Sequence, residues 1–157
     1  MSTEAPTADL VVVRIVDLPL SLYRHSAEHH DELRREFALI LRSGGDESSV
    51  PARLQRLGDE LERRFGAFTA QPTGILREAV ARGDTSIDLV YEVPREAKEA
   101  SMALGVLLDE ADAFCLAGEH LLTLATPPGP LAFRTWFLRE FVAQIDGAEP
   151  TSWEEWS

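Results

Sequence analysis

The chain has no asparagine, a single lysine and a single cysteine among its 157 residues. Each shortage removes a class of chemistry. One cysteine, Cys115, excludes a disulfide within the chain and any CxxC zinc or redox pair. Asparagine is the side chain with which histidine-kinase-like ATPases hold Mg²⁺ and phosphate, and the glycine-rich ATP lid of those enzymes is missing too. The strings GxxxxGK[ST], GxGxxG after a strand, and GxSxG are also absent. Their absence removes the Walker phosphate cradle, the dinucleotide fingerprint and the hydrolase nucleophile elbow. Positive charge is scarce: 15 Lys and Arg stand against 27 Asp and Glu, for a net charge of −12. That balance disfavours a nucleic-acid or anionic-membrane partner, both of which need clustered cations. No apolar run approaches the roughly 18 residues of a membrane span. MSTEAPTA, at the start, lacks the basic-then-apolar form of a signal peptide, so a cytoplasmic protein without cofactor is expected.

What is present reads as one domain over residues 10–147, with a flexible segment at 1–9 and an acidic, tryptophan-containing tail at 148–157. LVVVRIVD, 10–17, is β-branched and alternating, with Val11, Val13 and Ile15 on one face, and predicts a strand. A helix follows from Pro19 to about Arg42, stopped by Ser43-Gly44-Gly45. Val50, Leu54, Leu57, Leu61, Phe65 and Phe68 then recur at helical spacing. Gln71-Pro72-Thr73-Gly74 is expected to break that helix, leaving a short one from Ile75 to Arg82. SIDLVYEV, 86–93, predicts a second strand, and Pro94 opens a helix that ends at Gly118. HLLTLA, 120–125, reads as a short third strand, and the last helix runs from Leu131 to Ile145. The expected fold is therefore α+β and mostly helical: five helices around a two- to three-stranded sheet, in the order β-α-α-α-β-α-β-α. The order strand, proline, long helix occurs twice, which raises the option of a diverged duplication.

YRHSAEHHDELRREF, 23–37, carries three of the four histidines. On a helix His30 shares the core stripe with Leu33 and Phe37, while His25, Glu32 and Glu36 lie on the flank and His29 at its edge. His25 and His29, at i and i+4, could present two imidazoles to a metal, with Glu32 or Glu36 as a carboxylate ligand. The string also spells H-x-x-E-H, but Glu28 points away from the His25–His29 direction, and zinc peptidases of that kind need a third ligand from a later helix. The preferred reading is a solvated helix face with charges offset by Arg24, Arg34 and Arg35.

FRTWFLREF, 133–141, is read as core in preference to a ligand surface, because aromatics at helical spacing usually close a core. Cys115 is read as a buried thiol. Trp153 and Trp156 fall past Gly147 and Pro150, beyond the last helix. The two either fold back onto the domain or form a docking motif; exposed indoles beside acidic charge suit a basic, apolar groove, so both are candidate partner-binding residues in a tail expected to be separable from the core.

LPLSLYRHSAEHHDELRREFALI and LLTLATPPGPLAFRTWFLREFVAQIDG resemble segments of a family of uncharacterised actinobacterial proteins, across most of residues 10–147. Members accompany partner-switching regulators: anti-sigma kinases, STAS-domain antagonists and PP2C-type phosphatases. The resemblance implies a regulatory protein or adaptor, not an enzyme, acting on another protein in stress or sigma-factor signalling. The alternatives are a small metal-binding protein or hydrolase centred on His25 and His29, and a sensor holding a small ligand between helices.

Overall fold

The computed structural model describes residues 9–44, 46–118 and 125–157. Two strands, β1 (Leu10–Pro19) and β2 (Ser86–Pro94), pair antiparallel, with Val13 opposite Tyr91 and Ile15 opposite Leu89. Strict alternation would carry Asp17 into the core and Leu18 out of it. A bulge prevents this: Val16 and Asp17 together oppose one residue, and pairing resumes at Leu18 with Ile87. Asp17 takes the left-handed conformation, φ 61°, which aspartate tolerates better than most residues. Its N–H donates to Asp88 Oδ1 at 2.8 Å. The shift in phase puts Leu18 beside Val13 and Ile15, all three fully buried.

Among the described residues, five helices surround this ribbon: α1 (Leu20–Arg42), α2 (Val50–Arg82), α3 (Ala97–Ala117), α4 (Pro128–Ile145) and α5 (Trp153–Trp156). The α+β, mostly helical expectation is met, although the five helices are not the five that the sequence outlined. The predicted break at 71–74 does not occur. α2 is one helix of 33 residues, roughly 50 Å long, with Pro72 inside it. Proline removes one i→i−4 hydrogen bond and favours a kink. Here the ring is buried, in phase with Phe65, Phe68, Leu76 and Ala79, so the apolar stripe runs through the proline and packs α2 onto β2. Tertiary burial outweighs the local breaker.

The caps follow the chemistry of the sequence. Ser49 Oγ accepts from Ala52 N–H, and Pro51 lies in the first turn, where its missing N–H costs nothing. Gly83, left-handed at φ 77°, closes the other end: its N–H bonds Val80 O and that of Asp84 bonds Ala79 O. The expected strand at 120–125 lies outside the described residues apart from Ala125, which is not in a strand.

The main core lies between the inner face of the ribbon, α2 and α4. Val13, Ile15, Leu18, Leu89, Tyr91 and Val93 meet Phe133, Trp136, Phe141 and Ile145. A second cluster, Leu33, Phe37, Ala111 and Cys115, joins α1 to α3. Each fully buried side chain of this size is worth about 1.5–3 kcal/mol.

Residues 148–157 are not a loose tail. Both backbone groups of Thr151 are tied to α4: its N–H donates to Glu140 Oε1 at 2.8 Å, and its C=O accepts from Trp136 Nε1 at 2.9 Å. Ser152 then caps α5 in a reciprocal box with Glu155. Trp153 stacks edge-on against Trp136 at 5.5 Å and near Phe133 at 6.3 Å. Trp156 lies under the Arg139 guanidinium at 5.1 Å. The expectation of a segment separable from the core is corrected: α5 closes over the core and reaches β1.

Candidate functional site

The described polar side chains converge most closely where α1, α3 and α4 meet. Phe133 and Trp136 turn one side of α4 to the sheet, which leaves Arg134 facing α3. There Asp109 and Asp112, at i and i+3, share a face. Arg134 is 7% exposed, so its charge needs partners. Its Nη2 donates to Asp109 Oδ1 at 2.9 Å and to Asp112 Oδ2 at 3.1 Å, and its Nη1 to Thr126 Oγ1 at 3.2 Å.

Thr126 is the hinge of this cluster. Its hydroxyl donates to Asp112 Oδ1 at 2.7 Å, and its backbone N–H donates to the same oxygen at 3.0 Å. A hydroxyl has one proton, and that proton is committed to the carboxylate. His29 Nε2, 3.2 Å from Thr126 Oγ1, therefore acts as the donor. Burial pushes the Asp112 carboxyl up, but the hydrogen bonds from Thr126 and the Arg134 charge outweigh it and hold the group below the usual carboxylate range. The arrangement contains Thr, His and Asp, yet in the wrong order for nucleophilic catalysis. The hydroxyl faces a weak base, and the imidazole gives a proton where a general base would take one. It is a clamp joining three helices.

Among the described residues no group of three or more His, Cys, Asp or Glu is placed to hold a metal ion. His25 and Glu32 are exposed, His29 turns to Thr126, and Glu36 is half-buried. The structure thus does not assemble His25, His29, Glu32 and Glu36 into one ligand set. Cys115 is buried, and burial pushes its thiol up to about 11, which makes it a poor nucleophile. Trp153 and Trp156 are half-buried against the core, which leaves only part of each indole for a partner. FRTWFLREF is core, as read, for Phe133, Trp136 and Phe141.

Sequence reasoning missed Arg134, Asp112 and Thr126. The one available signal was the lack of a polar face on α4, which buries Arg134, Glu140 and Gln144 along with its aromatics.

Among the described residues, two surfaces stand out as able to bind something. α3 buries one side and leaves large apolar residues exposed on the other, among its charged ones. Leu107, Leu108, Ala111 and Cys115 face inward, while Met102, Val106 and Leu116 are 52%, 60% and 80% exposed. They share one side of the helix with Ala113 and Glu99, and Asp109, 74% exposed, sits between Val106 and Ala113 on that same side. The second surface is a cleft of about 710 Å³ between α1, α2 and α3, with His30 in its wall.

No family model matches the sequence, and neither a curated protein nor a solved structure is significantly similar to it.

Proposed function

We propose that this protein is a non-enzymatic regulator that works by binding another protein, with the outer stripe of α3 as its contact surface. The observation that carries the reading is the exposure of Met102, Val106 and Leu116 on one side of the helix. Single exposed apolar residues are ordinary; several on one side of a helix mark a contact surface. Glu99 stands at its N-terminal end, Asp109 lies within it and the chain carries −12, so the fitting partner is an amphipathic helix whose apolar face also carries basic side chains. Partner-switching signalling, implied by the sequence resemblance, is the proposed setting. The clamp at Arg134 supports a non-catalytic role, because its hydroxyl and imidazole are consumed in holding helices together.

The test is comparative affinity capture. Wild type should retain a discrete partner from lysate of the native organism, and Val106→Glu should lose it while keeping the wild-type melting temperature. A partner retained equally by both proteins would refute the assignment of this face.

A further inference from the structure

The cleft between α1, α2 and α3 has features that neither the core nor the α3 stripe explains. Its floor is apolar: Leu33 and Phe37 come from α1, Leu54 from α2, and Leu104 and Leu108 from α3. At about 710 Å³ it falls within the roughly 300–1,000 Å³ of small-molecule sites, and such sites are mostly apolar with a few polar groups.

Gly58 lines the α2 wall in the middle of a long helix, where alanine is the better helix former. A Cβ built there meets nothing within 4 Å, so no neighbour demands the glycine. Its effect is to widen the cleft. His30 faces the same space from α1, and neither ring nitrogen has a hydrogen-bond partner among the described residues. Burial, followed by the nearby Arg134 and His29, lowers its pKa, so at neutral pH the ring is uncharged and offers one donor and one acceptor. The exposed charges around the cleft are of both signs: Arg34 and Arg35 against Asp31, Asp59 and Glu62. Such a rim favours neither an anion nor a cation.

From these features we infer that the cleft is a binding site for a small, uncharged, largely apolar molecule with one hydrogen-bonding group, which meets His30. The site is independent of the α3 stripe, because Leu104 and Leu108 face the opposite way from Met102 and Val106.

The probe for the test is N-phenyl-1-naphthylamine, an uncharged fused aromatic with a single N–H whose emission rises in apolar surroundings. Wild type should bind one molecule per chain, saturably. Gly58→Leu should fill the cleft from α2 and weaken binding about tenfold or more without lowering the melting temperature. Leu104→Phe, which narrows the cleft from α3, should give the same loss and serves if the first variant folds poorly. His30→Leu should weaken binding several-fold, since it leaves the probe N–H unpaired. Val106→Glu should leave binding unchanged. Absence of saturable emission, wild-type affinity in the folded cleft variants, or loss of binding in Val106→Glu would each overturn the assignment.

Discussion

The side-chain amide of Gln144 pairs with both backbone groups of Arg14: Arg14 N–H donates to Gln144 Oε1, and Gln144 Nε2 donates to Arg14 O, each at 2.8 Å. Those two groups must therefore point away from β2, and the amide from α4 occupies the place a third strand would take at that residue. Gln144 also donates to Glu140 Oε1 at 2.9 Å, and Glu140 in turn holds Thr151. Strand edge, helix and C-terminal segment are thus joined by two side chains. Gln144→Ala should cost about 2–4 kcal/mol, because it removes two hydrogen bonds to backbone and leaves Glu140 short of a donor. Urea denaturation measures it; a loss under 1 kcal/mol would show that water replaces the amide freely.

Removal of residues 150–157 should lower the melting temperature by about 6–12 °C, the equivalent of roughly 3 kcal/mol in a chain of this size. The deletion strips Trp136 Nε1 and Glu140 of their partner Thr151 and uncovers Phe133. Calorimetry of the truncated chain decides the point. An unchanged transition would restore the view of a detachable segment.

Arg134→Met should destabilise the protein by about 3–5 kcal/mol, the range for breaking one partner out of a buried ion pair. The methionine fills similar volume, so the cost falls on the Asp112 carboxylate, which loses its Arg134 cation and keeps only the hydrogen bonds from Thr126. The double variant Arg134→Met with Asp112→Leu should recover much of that loss. If it does not, the charge pairing is not what holds α3 to α4.

His25→Ala should change stability by about 0.5 kcal/mol or less, as for exposed positions, whereas His29→Ala should cost about 1 kcal/mol for its bond to Thr126. Melting curves of the two variants, with and without added zinc, separate a surface from a ligand pair. A zinc-dependent rise in melting temperature that both variants abolish would reinstate the metal reading.

Acid should weaken the protein in two stages. Burial lowers the His30 pKa, so between the unfolded value near 6.5 and the lower folded one the unfolded chain binds the extra proton. Stability from this group is complete above about pH 6.5 and declines as pH falls through that window. Asp112 is also held low, and its contribution is lost only further down, as pH falls through its folded value. Urea midpoints between pH 7.5 and 5.0 should drop in wild type and flatten in His30→Leu. Parallel curves would assign the drop to other groups.

Periodicity found the strands and the long helices because burial imposes a period on them, and α1, β2 and α4 stand close to where it placed them. It failed where a tertiary constraint overrode a local one. Pro72 signals a stop, yet its ring is an apolar side chain in the right phase and is treated as one. Asp17 breaks an alternating strand only through a bulge, which no alternation pattern encodes. The C-terminal segment did carry a signal, Ser152 three residues ahead of Glu155, but the ties from Trp136 and Glu140 to Thr151 depend on the fold. The clamp was invisible for the same reason. Thr126, Asp112, Arg134 and His29 come from three helices and a loop, and nothing in their spacing along the chain relates them.

Cys115 and the three tryptophans fall in different halves of the molecule. Trp136, Trp153 and Trp156 belong to the sheet-side core, and Cys115 to the α1–α3 cluster beside the cleft. Only thiolate reacts with alkylating reagents, and a buried thiol held near 11 reacts at neutral pH when its surroundings open. Indole emission and thiol labelling therefore time two separate openings in one unmodified sample. Equal rates would mean that the halves breathe as one unit. Faster labelling of Cys115 would mean that the cleft half loosens while the sheet half stays shut.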